Sequence, residues 1–343
     1  MTSDSLHPDN PEAGPSIDIW EGDHQVCGRS GMASPVFHVH GRVTPDVSDA
    51  SNLGAPIHSV SWSLNSRGRI PAAIGPTAFR VAAPGDFTIF LERSWLRAGE
   101  NSLLILANDV AGRETTHRVT VELHPSARAS LPMRVSWDGA QRVSERVEII
   151  DGRWDVRSNT ARAIEPGYDR AFTVGDVDWT DMDVRVPITL HAFAASPASM
   201  QWPSMGCAVG IALRWRRHAD WGDILPARGW FPLGALARLE HSPGDPAGTA
   251  RLRLRAGGFV PPLAEGPIID VEPDAAFILR ARVRSGPGGP AHYDAKLWRA
   301  SDPEPDAWAV SAQGIPSELP RGAVLVTAHH ADASFGDIEI TAP

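Results

Sequence analysis

The chain has 343 residues, 42% of them hydrophobic and 21% charged, a composition typical of globular proteins with two or three domains. Its 32 basic and 41 acidic residues give a net charge of −9, which argues against a nucleic-acid partner, because phosphates are bound by clustered Lys and Arg. No stretch approaches the roughly 18 consecutive apolar residues of a membrane helix, so no membrane segment is expected. Cys27 and Cys207 are expected to be free thiols, because nothing in the sequence brings them within bridging distance.

Residues 1–15 are polar and rich in Pro, which predicts a disordered lead-in. They contain neither the basic segment nor the apolar segment of a signal peptide, so a cytoplasmic protein is expected. A secreted or cell-surface protein whose leader had been removed would have the same sequence.

Gly and Pro recur at short intervals between alternating runs, a pattern typical of an all-β protein. In residues 37–43, apolar side chains alternate with His38, His40 and Arg42, which predicts a strand with one apolar and one polar face. The spacing of His38 and His40 could hold a metal ion, but no third ligand is near them in the sequence. We therefore expect these two histidines to lie on a solvated face.

Residues 99–112, GENSLLILANDVAG, are followed by a run up to Leu123 in which Val and Leu alternate with polar side chains. This segment resembles the late strands of bacterial immunoglobulin-like domains, where a G-x-N stretch opens an apolar strand and a D-x-A-G turn leads to the last strand. The resemblance implies a sandwich that serves as a spacer or docking platform. We assign residues 16–123 to this domain and residues 124–136 to a linker.

The second domain, residues 137–343, shows enough alternating segments for a jelly roll of antiparallel strands. The predicted strands cover residues 147–156, 170–174, 183–193, 208–216, 250–256, 276–283, 293–299, 323–328 and 334–341. The all-β expectation is thus two sandwiches in series.

Two short segments of the second domain carry a resemblance of their own: residues 179–184, WTDMDV, and residues 333–340, ASFGDIEI. They are similar to strands of the concanavalin A-like lectin/glucanase superfamily, which includes laminin-G-like modules. The resemblance implies a concanavalin-like jelly roll but not an activity, because lectins, hydrolases and lyases share this scaffold. It also implies a structural calcium ion near the termini, for which Asp337 is the matching residue.

Tryptophan is unusually frequent, with 12 residues against two Tyr. Trp154 and Trp179 lie in apolar alternation and are expected in the core. Four others lie in segments rich in Pro, Gly and Asp, where an indole can stack on a sugar ring and donate its N–H to a hydroxyl, or can plug the end of the sandwich. These are Trp202, Trp221, Trp230 and Trp308.

Residues 213–223, LRWRRHADWGD, form the densest cluster of polar and aromatic side chains. Guanidinium and carboxylate groups around an indole are typical of sugar sites, whereas the alternative is a solvated loop with internal Arg–Asp pairs. We expect Tyr293 and Lys296 to lie across from this cluster. The predicted ligand-binding residues are Arg214, His218, Asp220, Trp221, Asp223, Trp230, Tyr293 and Lys296.

The sequence therefore predicts a lectin-like protein that binds a glycan or polysaccharide on a concave face. The alternative is a glycoside hydrolase or polysaccharide lyase whose catalytic residues are His191, His218, Tyr293 and Lys296, joined by one of His329 and His330. A lyase needs a base and a group that neutralises a uronate, whereas the E-x-D-x-x-E motif of the superfamily's glucanases is absent. A surface adhesion or assembly module is the second alternative.

Overall fold

The computed structural model describes residues 14–46, 55–77, 80–81, 83–124, 128–193, 206–218, 233–256 and 261–343. Within these ranges the chain is almost entirely β-strand, with two single-turn 3-10 helices at Arg93–Trp95 and Val143–Glu145. The predicted all-β class is confirmed. Over the same ranges, the structure contains no helix with the length and apolarity to cross a membrane.

The first sandwich packs a three-stranded sheet, in the order β1-β3-β6, against a five-stranded sheet, in the order β2-β8-β7-β4-β5. Its strands are β1 (Ser16–Ile19), β2 (His24–Cys27), β3 (Val36–Thr44), β4 (Ile57–Leu64), β5 (Ile70–Ala72), β6 (Asp86–Glu92), β7 (Gly99–Asp109) and β8 (Glu114–Leu123). All neighbouring strands are antiparallel except β2 and β8, which are parallel. Trp62 and Phe87 are among the side chains of the core that the two sheets enclose.

The second sandwich contains all the later strands. They are β9 (Met133–Val135), β10 (Glu148–Asp151), β11 (Trp154–Arg157), β12 (Thr160–Ala163), β13 (Arg170–Val174), β14 (Met182–Phe193), β15 (Cys207–Trp215), β16 (Ala235–His241), β17 (Thr249–Arg255), β18 (Ala264–Asp270), β19 (Ala275–Gly286), β20 (Gly289–Arg299), β21 (Val310–Gln313), β22 (Ala323–His329), β23 (Ala331–Phe335) and β24 (Ile338–Thr341). A seven-stranded sheet, in the order β10-β13-β22-β15-β16-β17-β18, packs against a nine-stranded sheet. Seven strands of the second sheet follow the order β11-β12-β23-β14-β19-β20-β21, and the other two are β24, which pairs with β14, and β9, which pairs with β24.

The segment predicted as a linker, residues 124–136, includes β9, which pairs with the last strand, β24. Just before β9, the carbonyl of Ala129 accepts a hydrogen bond of 2.9 Å from the Trp179 indole. Through these contacts, residues 129–135 of the predicted linker are attached to the second sandwich.

Aromatic rings dominate the core of the second sandwich. The Phe172 ring is met edge-on by Trp154, at 4.9 Å between centroids, and by Trp137, at 5.8 Å. Trp154 and Trp179 are both buried in this core, as their apolar alternation predicted. Because successive side chains of a strand point to opposite faces, each sheet also has an outward face that the core does not use. We call these outward sides the seven-stranded face and the nine-stranded face.

The two sandwiches meet through buried polar contacts. The Glu148 carboxylate, on edge strand β10, accepts hydrogen bonds from the Gly28 amide at 2.9 Å and from the Arg93 guanidinium at 2.5 Å. The expectation of a solvated face for His38 and His40 was wrong, because both rings are buried at this interface. His40 donates from Nε2 to the Ile150 carbonyl at 3.1 Å. Burial lowers the pKa of His40 to about 4, so this ring is neutral near pH 7.

Candidate functional site

The seven-stranded face carries a strip of small residues between two polar groups. On β15, Ala208 lies between His329 of β22 and Glu240 of β16, and Gly210 lies between Thr327 and Arg238. Strands in a sheet are about 4.8 Å apart, so the polar side chains of β22 and β16 are separated by about 10 Å across this strip. The strip is buried: Ala208 and Glu240 are each 1% exposed, and Thr327 and His329 are each 2% exposed.

Gly210 is required by close packing of backbone. A Cβ atom at this position would lie 2.2 Å from the Ala237 carbonyl oxygen and 2.6 Å from the Cβ of Arg238. Any larger residue would push β16 away from β15. The glycine therefore keeps Arg238 close to the floor of the strip.

On the β22 side of the strip, His329 and Asp169 form a pair. Asp169 has a left-handed backbone (φ +49), which an aspartate tolerates better than most residues. Its carboxylate accepts a hydrogen bond of 2.6 Å from His329 Nδ1, so the proton of a neutral ring lies on Nδ1. The ring of Tyr168 meets His329 edge-on at 5.0 Å. These contacts fix the orientation of the imidazole.

Two buried polar atoms of β22 have no hydrogen-bond partner among the described residues. Within the described ranges, His329 Nε2 and Thr327 Oγ1 make no hydrogen bond, although His329 is only 2% exposed. A buried polar atom left unsatisfied costs about 1–3 kcal/mol. Both atoms belong to β22 and to the seven-stranded face, so a hydroxyl group that entered this buried strip could bond to both.

On the β16 side, Glu240 is surrounded by arginines. Its carboxylate accepts two hydrogen bonds from Arg255, at 2.7 and 2.8 Å, and one from Arg238 at 3.0 Å. Burial alone would raise the pKa of Glu240, but the arginines and Ser242 outweigh it and lower the pKa to about 2. Glu240 is therefore ionised at neutral pH. It cannot serve there as a proton donor.

His218, a residue predicted for the site, lies at the border between the seven-stranded face and the first sandwich. Its Nε2 donates to Asp151 at 2.8 Å, and its ring meets Trp215 edge-on at 5.9 Å. The second oxygen of Asp151 accepts from Arg80 of the first sandwich. Burial is the main cause that lowers the pKa of His218, and Arg80 adds to it against the opposing effect of Asp151. The ring is neutral and already bound.

The Arg214 side chain does not point to the seven-stranded face. A β-bulge between Ala212 and Trp215 and a left-handed backbone (φ +56) turn its side chain into the end of the sandwich, where it is 2% exposed. There it donates to the Thr180 carbonyl at 2.7 Å and to the Ser285 hydroxyl at 2.9 Å. Its role in the structure is to brace this end.

Tyr293 and Lys296 do not face His218 across a common cleft. Tyr293 is 0% exposed within the core between the sheets, where burial raises the pKa of its hydroxyl. Lys296 lies on the nine-stranded face, where its ammonium donates to the Pro305 carbonyl at 2.6 Å and pairs with Glu304 at 2.8 Å. The predicted loop tryptophan Trp308 lies 4.9 Å from the same ammonium.

His191 also lies on the nine-stranded face, so the proposed catalytic set is divided over the two faces, the core and the domain interface. Five predicted residues lie outside the described residues: Asp220, Trp221, Asp223 and Trp230 of the ligand-binding set, and also Trp202.

Sequence reasoning missed Arg238 and Glu240. The available signal was residues 235–241, ALARLEH, in which charged side chains alternate with buried apolar ones.

Asp337, the residue predicted to hold calcium, accepts hydrogen bonds from protein donors. Its carboxylate accepts from the Trp137 amide at 3.1 Å and from Arg134 at 3.0 Å. Burial would raise the pKa of Asp337, but these donors lower it. Within the described ranges, no group of three or more His, Cys, Asp or Glu side chains is arranged to hold a metal. Calcium at Asp337 stays a prediction.

No family model and no curated protein sequence matches the chain. Among solved structures, the chain is similar to the alginate lyase Aly36B bound to an alginate trisaccharide (TM-score 0.39, 11% identity, covering 62% of this chain and 100% of that chain). It is also similar to an engineered GH43 glycoside hydrolase with endo-xylanase and exo-arabinofuranosidase activity (TM-score 0.42, 8% identity, 89% and 63%). A third is an endo-β-1,4-mannanase from Thermotoga petrophila (TM-score 0.23, 10% identity, 33% of this chain), of which the match spans only 20%.

Proposed function

We propose that the protein binds a carbohydrate on the seven-stranded face, over the strip formed by Ala208 and Gly210. The observation that carries this proposal is the pair of unsatisfied buried atoms, His329 Nε2 and Thr327 Oγ1. A sugar offers hydroxyl groups that both donate and accept hydrogen bonds, and its apolar C–H face suits a floor of small residues. Arg238, on the other side of the strip, supplies further donors to hydroxyl or carboxylate groups of the ligand.

The fold assignments made from sequence resemblance belong to the same proposal. The two antiparallel sheets of the second sandwich support a concanavalin-like jelly roll. In the first sandwich, three strands face five, and β2 runs parallel to β8, which supports an immunoglobulin-like domain. The proposed partner of the protein is thus a glycan or polysaccharide presented to the second sandwich.

A polysaccharide lyase is the second candidate function, and the His329–Asp169 pair favours it. A neutral imidazole whose Nδ1–H is held by a carboxylate has an Nε2 lone pair that can take a proton. Beside a uronate, that proton would come from the carbon next to the carboxylate, and Arg238 could neutralise the charge that develops. A two-carboxylate hydrolase is less well supported, because the arginines around Glu240 keep it from donating a proton.

Binding is tested by isothermal titration of acidic and neutral oligosaccharides into the wild type and the variant His329→Ala. We expect the variant to lose at least about tenfold in affinity, since one lost hydrogen bond is worth about 1.5 kcal/mol. The matched control is His292→Ala, because His292 is half-exposed on the nine-stranded face and pairs with Asp294. Unchanged affinity in His329→Ala would contradict the placement of the ligand.

Thr327→Val separates a ligand-binding role from a structural one. Removing the unpaired hydroxyl without changing the side-chain shape should raise the free energy of unfolding by about 1 kcal/mol, because no partner is lost. The same change should weaken glycan binding, because the hydroxyl can no longer bond to the sugar. A variant that binds as the wild type does would remove Thr327 from the site.

Lyase activity is read from the ultraviolet absorbance of the new C=C bond in the product of a uronate polymer. If the protein is a lyase, His329→Gln should abolish product formation, and the variant should still bind an oligosaccharide. If the wild type binds a uronate oligomer but forms no unsaturated product, the protein is a binding protein and the lyase candidate is wrong.

A further inference from the structure

Three side chains on the nine-stranded face, away from the proposed carbohydrate site, form a chain of short hydrogen bonds. The Ser334 hydroxyl lies 2.8 Å from His191 Nε2, and His191 Nδ1 lies 2.5 Å from an Asp274 oxygen. The serine comes from β23, the histidine from β14, and the aspartate directly precedes β19. Serine, imidazole and carboxylate thus occur in the order that activates a serine nucleophile.

Strand pairing explains how these residues meet. Ser334 is the cross-strand partner of Thr189, and His191 follows at a β-bulge two residues later on the same strand. Asp274 has a left-handed backbone (φ +60) directly before Ala275, which pairs with Leu190. The bulge and the turn therefore bring the imidazole between the hydroxyl and the carboxylate.

The hydrogen bonds are consistent with proton transfer from Ser334 to His191. An ionised carboxylate only accepts, so Asp274 accepts a hydrogen bond from the Nδ1–H of a neutral His191. The Nε2 lone pair of that tautomer then accepts the hydrogen bond from the Ser334 hydroxyl. This is the state in which the imidazole can remove the serine proton.

An arginine lies on the strand next to Ser334. Arg162 of β12 is the cross-strand partner of Ser334, so both side chains point to the nine-stranded face. Two N–H groups of Arg162 bind Asp332, at 2.6 and 2.8 Å. A guanidinium has five N–H donors, so three remain for an oxygen that becomes negatively charged near Ser334.

We propose that Ser334, His191 and Asp274 form a nucleophilic centre that hydrolyses acyl esters. Ser334 Oγ bonds to the acyl carbon while His191 Nε2 takes its proton, and Arg162 stabilises the oxyanion. The C–O bond to the leaving alcohol breaks, and His191 returns the proton to that alcohol. Water, deprotonated by His191, then bonds to the acyl carbon, the bond from that carbon to Ser334 Oγ breaks, and His191 returns the proton to Oγ, which releases a carboxylic acid and restores the serine.

A fluorophosphonate probe tests the nucleophile directly, because an ordinary serine hydroxyl does not react with it. We expect the wild type to be labelled, and peptide mass spectrometry to place the label on Ser334. Hydrolysis of p-nitrophenyl acetate should fall at least about 100-fold in Ser334→Ala and in His191→Ala. The matched control, Thr189→Ala, removes a hydroxyl from the neighbouring position of the same face and should keep both activities.

Asp274 acts as a positioning residue, so its test includes a conservative rescue. Asp274→Asn should slow labelling of Ser334 at least about 100-fold with an unchanged melting temperature, because an amide favours the wrong tautomer. Asp274→Glu should recover part of the rate, since it restores the acceptor. Absence of labelling in the folded wild type, labelling at another residue, or ester hydrolysis that persists in Ser334→Ala would each overturn the proposal. Glycan binding on the seven-stranded face is a separate outcome.

Discussion

Replacing Glu240 by Gln removes the negative charge that holds the arginines of the seven-stranded face. Glu240 is only 1% exposed, so solvent screens these contacts little. The difference between its ordinary pKa of 4.5 and its value of about 2 in the folded protein corresponds to about 3 kcal/mol at neutral pH. Because the folded pKa is the lower one, this stability is fully present above pH 4.5 and is lost as the pH falls towards 2.

The assay is urea unfolding of the second sandwich, followed by tryptophan fluorescence at pH 7 and at pH 3. At pH 7 we expect Glu240→Gln to lower the free energy of unfolding by about 3 kcal/mol, and at pH 3 by clearly less. The control is Glu339→Gln, because Glu339 is half-exposed and pairs with Arg185 only at 3.7 Å. A variant as stable as the wild type at pH 7, or an equal loss at both pH values, would refute this reasoning.

Three further predictions concern the interface, the domain boundary and calcium. Asp151→Asn should lower the free energy of unfolding by about 3–5 kcal/mol, because it removes the buried carboxylate that pairs with Arg80, whereas Asp155→Asn, in a half-exposed pair with Arg157, should change it little in the same urea titration. A fragment of residues 128–343 should melt at a higher temperature than one of residues 137–343, because it keeps β9; equal melting would contradict this. If Asp337 holds calcium, a chelator should lower the melting temperature, and an unchanged melt would exclude calcium.

Local alternation predicted most of the strands, because the inward and outward sides of a strand follow directly from its sequence. Trp154, in β11, was correctly placed in the core for this reason, and Trp179, which precedes β14, also lies in the core as predicted. In the second sandwich, the sequence interpretation missed β9, β12, β16, β18 and β21. In β18, the segment AEGPIID lacks regular alternation and most of its side chains are exposed. Edge strands of this kind leave only a weak periodic signal.

The candidate site was harder to predict, because its residues come together through pairing of distant strands. Asp169 and His329 are 160 residues apart in the chain, and only the pairing of β13 with β22 makes them neighbours. The placement of Tyr293 and Lys296 on one face could have been rejected from the sequence. Residues three apart in a regular strand point to opposite sides, and the structure places one in the core and the other on the nine-stranded face.

The domain interface changes how the first sandwich should be interpreted. A passive spacer would meet the second sandwich through solvated contacts, whereas here Arg80 of the first sandwich binds the Asp151 carboxylate in a buried ion pair. The other oxygen of Asp151 holds His218, whose ring packs on Trp215 of the seven-stranded face. Because Asp151 belongs to edge strand β10 of the same sheet, the first sandwich helps to fix the border of the candidate site. Loss of the first sandwich would therefore leave Asp151 and His218 without the guanidinium that keeps their pair in place.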